Sequence, residues 1–291
     1  MRHPRLTAVR CLASAGQSAG QPIPPLVAVA HGSTDPRAAA TIAELTGLVR
    51  EMAAGCGLPA LDARTAYLGH APPSVAQVLS ALAGAAAPPR RVVVLPLLLT
   101  AAYHSEVDLP ALVDEARAAL PGVAISYGEP LGPHPLLLRA LDRRLAESGA
   151  LAWPAGDTVV VLAAAGSGRP GANAAIARVA AQWQAASGWR AVVPAYAAAA
   201  SPAPGEAVAG LLRAGAPRVV VATYLLAPGV FADQVAASAL RAGAATVSGV
   251  LGAAPEVAEI IVRRYAEAIA GSASMDAARP GDAYRRRGSC R

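Results

Sequence analysis

The sequence predicts an α/β protein of two similar domains, each a small parallel sheet flanked by helices. Three observations predict it. Short apolar runs alternate with longer helical patterns throughout the body of the chain. Several runs are apolar at nearly every position, as in VVVLPLLL at 92–99, and so read as strands covered on both faces. The same order of runs and helices then recurs in the second half.

Each element has its own signal. Residues 26–30 are a short apolar run, and 41–52 have helical spacing that ends near Gly55. A second run at 63–67 precedes a helix opened by Ser74, a hydroxyl N-cap. The third run is 91–99, and the helix at 109–120 stops at Pro121 and Gly122. A run at 123–127 and a helix at 135–149 complete the first unit. In the second unit, strands are expected at 158–164, 191–196, 219–226 and, weakly, 245–250. Helices are expected at 172–186, 206–215, 233–243 and 256–271. Gly149, Pro154 and Gly156 mark the linker. The expected domains are therefore 25–150 and 151–271, between disordered basic tails at 1–24 and 272–291.

The two halves align as an internal repeat. VAVAHGSTDPRA at 27–38 matches VLAAAGSGRPGA at 161–172, and LLLTAAYHSE at 97–106 matches YLLAPGVFAD at 224–233. LGPHP at 131–135 matches LGAAP at 251–255. The scaffold is duplicated, but its histidines are not. His31 falls opposite Ala165, His70 opposite Ala199, His104 opposite Phe231 and His134 opposite Ala254.

Composition narrows the function. A chain of 291 residues suits two domains, and 54% hydrophobic against 15% charged residues excludes a disordered body. Three cysteines are too few for a disulfide scaffold, and a reduced, cytoplasmic setting is expected. Mean hydropathy is +0.40, but the apolar runs are broken short of the roughly 18 residues a membrane helix needs. Residues 11–21 are small and polar, so no secretory leader is expected. The net charge of +6 sits in the tails: 1–25 hold three arginines and no acid, 272–291 five arginines against Asp276 and Asp282. With 4% aromatics and a neutral body, a nucleic-acid surface is not expected.

The chemistry points to one sheet edge. In a parallel sheet of order 2-1-3-4, ligands bind beyond the carboxyl ends of strands one and three, where strand order reverses. His31 directly follows strand one, and His104 lies just past strand three. Neighbouring strands are about 4.8 Å apart, so both imidazoles reach one point. Neutral imidazole ligates divalent first-row metals and serves as a base near neutral pH. Two histidines without cysteine favour an exchangeable site over a closed structural one. Glu106 and Asp108 follow closely and either relay protons and orient an imidazole or stabilise the dipole of the next helix. Ser33 and Thr34 offer hydroxyls and N–H groups to an anion, or cap their helix. Arg37 reads as a solvated helix residue.

A loop role is favoured for His70 over a third cleft group, and a helix N-terminal role for His134. Gly166, Gly168 and Gly171 have the spacing of a dinucleotide loop, but no acid follows at the end of the next strand to hold a ribose. They read as a tight turn inherited from the repeat. No phosphate loop and no serine-nucleophile elbow occurs.

AHGSTDPRA at 30–38, AAYHSEVDLP at 101–110 and GEPLGPHP at 128–135 resemble the sirohydrochlorin chelatase family, in its long, internally duplicated form. YLLAPGVFADQV in the second half resembles it too. The resemblance covers about residues 25–270. It implies two chelatase-like α/β domains with the active-site cleft between them, and insertion of Fe(II) or Co(II) into sirohydrochlorin with release of two protons, towards sirohaem or cobalamin. The family's two histidines carry over onto His31 and His104, as metal-holding or proton-accepting groups. Ser33 and Thr34 are then expected at the substrate's carboxylates and Glu106 or Asp108 in a proton relay. The segment between Tyr67 and Ser74 lacks the acid expected of relatives. The ion, iron, cobalt or nickel, is a substrate, and no organic cofactor, nucleic acid or membrane is implied. A fused repeat suits a monomer or weak homo-oligomer. The rival reading is a non-catalytic metal-delivery or tetrapyrrole-binding protein.

Overall fold

The computed structural model describes residues 22–100 and 109–277. The first unit runs β1 (Leu26–Ala30), α1 (Pro36–Gly55), β2 (Ala63–Tyr67), α2 (Val75–Ala83), β3 (Arg91–Pro96), α3 (Leu109–Ala119), β4 (Ala124–Tyr127) and α4 (Pro135–Glu147). Two short 3-10 turns lead into β5 (Thr158–Ala164), α5 (Pro170–Ala186), β6 (Ala191–Tyr196), α6 (Pro204–Arg213), β7 (Arg218–Tyr224), α7 (Val230–Arg241), β8 (Thr246–Val247) and α8 (Pro255–Ala277). Both sheets are parallel, in the orders β2-β1-β3-β4 and β6-β5-β7-β8. Two similar α/β units are thus present, and the switch point lies between β1 and β3, as the sequence predicts.

Strand pleating sorts side chains into three cores. Leu26, Ala28, Ala30, Val93 and Leu95 face inward with Val160, Leu162, Val220 and Ala222, and all join one central core. Val27, Val29, Val92 and Val94 face outward under α2 and α3. Val159, Val161, Val219 and Val221 do the same under α6 and α7. This double burial is why the strand sequences lack polar alternation.

Boundaries shift where local chemistry dictates. β3 stops at Pro96 rather than residue 99, and the Leu97 N–H makes a last bond to the Val29 carbonyl at 2.7 Å. The residues beyond are thereby released to line the cleft. Ser74 caps α2 in a capping box with Gln77, as its hydroxyl predicts. α8 continues to Ala277, into the stretch expected as a tail, since no Gly or Pro interrupts it between 272 and 277. Residues 1–21, 101–108 and 278–291 lie outside the described set.

The sequence does not foretell an exchange of helices. α4, the last helix of the first unit, packs against β7 of the second sheet, while α8 packs against β3, β4 and α1 of the first. Leu137, Leu141, Ile260, Ile261 and Tyr265 are at most 1% exposed in the central core. Polar contacts fix the exchange. Trp183 Nε1 donates to Asp142 Oδ1 at 3.0 Å, Arg143 pairs with Glu256 at 2.6 Å, and the Tyr265 hydroxyl donates to the Pro24 carbonyl at 2.6 Å. Among the described residues, no helix is long and apolar enough to cross a membrane.

Candidate active site

The carboxyl ends of both sheets face a common cavity of about 640 Å³. His31, Gly32, Ser33 and Thr34 line it after β1, and Leu97 to Thr100 after β3. Ala165 to Ser167 and Leu225 to Ala232 line it from the second unit. Its walls differ. The first unit contributes His31 and His70; the second contributes alanines, leucines, Val230 and Phe231, with Ser167, Asn173 and Tyr224 as its polar members. Phe231 is 46% exposed, at the position the repeat aligns with His104.

The histidine wall is built by two hydrogen-bonded loops. The Leu68 N–H donates to the Ala30 carbonyl at 3.0 Å, and the Gly69 N–H to the His31 carbonyl at 3.2 Å. These bonds extend the β1–β2 ladder past its formal end and carry His70 beside His31. The two rings lie 6.0 Å apart, centre to centre, with planes inclined by 10°. Gly32 permits this approach: its φ is +92°, and a Cβ there would lie 1.8 Å from the Gly69 carbonyl oxygen.

The second unit repeats the backbone without the chemistry. Gly166 has φ +84°, and its imagined Cβ would lie 2.1 Å from the Ala198 carbonyl oxygen. The Ala198 N–H donates to the Ala165 carbonyl at 2.9 Å. The glycines at 166, 168 and 171 are therefore the inherited turn, with Asn173 Oδ1 accepting from the Ser167 N–H at 3.0 Å.

Ser33 and Thr34 line the cavity. Asp35, not either hydroxyl residue, caps α1, by accepting from the Arg37 N–H at 2.9 Å. The Ser33 Oγ accepts from the Asp35 N–H at 3.1 Å and lies 3.8 Å from an imagined Cβ on Gly229 across the cleft. Arg37 is not merely solvated: it pairs with Asp35 and bridges to Asp233 at 2.6 Å, joining the two units at the rim. Its guanidinium holds the Asp35 carboxyl below the usual carboxylate range. His134 caps α4, its Nδ1 accepting from the Leu136 N–H at 3.1 Å. His104, Glu106 and Asp108 lie outside the described residues. Among those described, no group of three His, Cys, Asp or Glu side chains is arranged to hold a metal.

Sequence reasoning favoured a loop role for His70, which the structure places on a loop that also lines the cavity, and did not single out Phe231 as a cleft wall. The repeat held the signal for both, since each stands where its partner copy has a different kind of side chain.

A duplicated parallel-sheet unit, facing itself across a cleft with imidazoles on one wall, defines a chelatase-like protein. The comparisons agree. SirB from Bacillus subtilis with Fe3+ superposes with TM-score 0.72 at 23% identity, over 86% of this chain and 97% of that one. CbiX, described as the terminal enzyme for biosynthesis of siroheme in denitrifying bacteria, gives 0.56 at 22% identity, over 84% and 99%. These likenesses show the fold. The CbiX family model matches residues 25–148 and 159–268, and the chain belongs to that family. A sirohydrochlorin cobaltochelatase of Priestia megaterium is 33% identical over 157 residues, 54% of this chain and 51% of that protein. A sirohydrochlorin ferrochelatase of Bacillus subtilis is 30% identical over 111 residues, 38% and 41% of the two. The matches span about half or less of the length of these curated relatives.

Proposed function

We propose that this protein is a sirohydrochlorin chelatase, inserting a divalent ion, Fe(II) or Co(II), into the tetrapyrrole of sirohydrochlorin. The observation that carries the reading is the asymmetric cleft, with imidazoles on one wall and a mostly apolar surface without histidine opposite, among the described residues. Membership of the CbiX family and the names of the relatives support the substrate.

Metallation must dock an aqua ion, present it to four pyrrole nitrogens and remove two N–H protons. The exposed His31 imidazole docks the ion by replacing a water, and a neutral imidazole accepts a leaving proton. His104, which follows β3 in the chain, is proposed to share these tasks, with Glu106 or Asp108 passing protons outward. The ion has to leave again, so a grip of few ligands suits the reaction. Ser33 and Thr34 offer hydroxyls to the substrate's carboxylates. Phe231 and its aliphatic neighbours give the flat macrocycle an apolar seat. Holding macrocycle and ion in one orientation lowers the barrier by proximity. Because one chain supplies both walls, a monomer or weak homo-oligomer is the proposed working form, and the cytoplasm its proposed location.

The test is anaerobic absorbance of purified protein with sirohydrochlorin and Fe(II), Co(II) or Ni(II) in turn. Many equivalents metallated per protein, above the uncatalysed rate, support the enzyme. Stoichiometric binding without turnover would make it a carrier.

A further inference from the structure

We propose that His70 is a docking ligand for the incoming divalent ion, held together with His31. This rests on the reading of the cleft as a metallation site, but concerns a residue to which that reading assigns no step.

The turn does not require a histidine. His70 has φ 61°, in the left-handed region, and Ala199 in the second unit has φ 58° at the equivalent position. An alanine therefore holds the same turn in the same fold. What His70 adds is its ring, and the ring lies beside His31. An ion about 2.1 Å from each donor nitrogen would set two imidazole centres roughly 5–6 Å apart. The observed separation is 6.0 Å. The planes are nearly parallel, so the rings must turn to aim both lone pairs at one point. That turn is about χ2, a broad torsion in histidine.

Position supports the role. A second recess of about 380 Å³, lined by Leu68, Gly69, Ala111, Leu112 and Glu115, adjoins the main cavity. His31 and His70 are the lining residues the two spaces share. Among the described residues neither lining contains Arg and the recess includes one carboxylate, Glu115, so no cationic side chain among them repels an ion. The two imidazoles stand where an ion entering by the recess meets a macrocycle in the cleft.

The experiment is anaerobic Co(II) titration of the full chain, without tetrapyrrole, followed by competition with a chromophoric chelator. Wild type is compared with His70→Ala, His70→Asn and His31→Ala, and the thermal midpoint of each is recorded. Ala199 indicates that His70→Ala folds, and Asn is at home in the left-handed region. We expect both His70 variants to bind Co(II) at least about ten-fold more weakly, and apo-sirohydrochlorin as tightly as wild type. Wild-type Co(II) affinity in folded His70→Ala would overturn the assignment. So would turnover by wild type with no Co(II) binding in the absence of tetrapyrrole, although the chelatase reading would then stand. Co(II) held through His70 with no metallation by wild type would support the docking site and sink the enzymatic reading.

Discussion

The Tyr224 hydroxyl, at the end of β7, donates to the Leu99 carbonyl beyond β3 at 3.1 Å. The tyrosine is 2% exposed, and burial pushes its phenol well above the ordinary range, so it remains a donor in neutral solution. The bond fixes one wall of the cleft to the other at its floor. Tyr224→Phe leaves the Leu99 carbonyl without this partner. Denaturant unfolding should show a loss of about 1–3 kcal/mol, with a raised KM for the tetrapyrrole. Unchanged stability and KM would mean that the floor is held by packing alone.

The exchanged helices make the two units interdependent. Ile261 is 1% exposed on α8, among side chains from both halves. Ile261→Ala should cost about 2–5 kcal/mol and lower both halves together, in a single transition seen alike by calorimetry and tryptophan fluorescence. Two separate transitions would contradict this account of the core.

His134 gives stability a pH dependence. Burial, then the charges of Arg264 and Arg263, lower its pKa, against smaller opposing effects from Glu267 and Glu259. The folded state therefore prefers the neutral ring, and the unfolded state binds more protons below about pH 6.5. Its contribution is complete above that value and declines as pH falls toward the depressed folded pKa. His134→Asn keeps a capping side chain without the titration. The variant should lose less stability than wild type between pH 7 and about pH 5. Equal losses would assign the acid sensitivity to other groups.

Phe231 tests the apolar wall. Being 46% exposed, it contributes little to the core. Phe231→Ala should leave the thermal midpoint within a degree or so and raise the tetrapyrrole KM about five-fold, the worth of roughly 1 kcal/mol of lost apolar contact. Co(II) affinity should not move. A fall in kcat with unchanged KM would place Phe231 in the chemistry rather than the seat.

Much of this was legible in the residues. Apolar runs such as VVVLPLLL at 92–99 can settle only in doubly covered parallel strands, and the repeat fixed the strand order twice over. His31 was legible because a residue directly after β1 has to face the switch point. The helix exchange was not. An apolar stripe on α4 or α8 declares that the helix is buried, but not by which of two similar sheets. Arg37 is solvated as read, but its bridge was not legible for a related reason: its partner Asp233 lies 196 positions away, on the other rim. The place of His70 in the cleft was not legible, because a loop position says little about where a ring points. Its nearness to His31 depends on hydrogen bonds between two loops and on the bare Cα of Gly32.

The imidazole wall is the centre of the account. Its most direct test is the initial rate of anaerobic Co(II) insertion into sirohydrochlorin by wild type, His31→Ala and His104→Ala, with thermal midpoints measured in parallel. His31 is exposed, so its loss should leave the midpoint unchanged while the rate falls at least about a hundred-fold, the scale of a lost acid–base group; the same is expected for His104. Near-wild-type rates in a folded His31→Ala protein would show that metallation, if it occurs, does not pass through this wall.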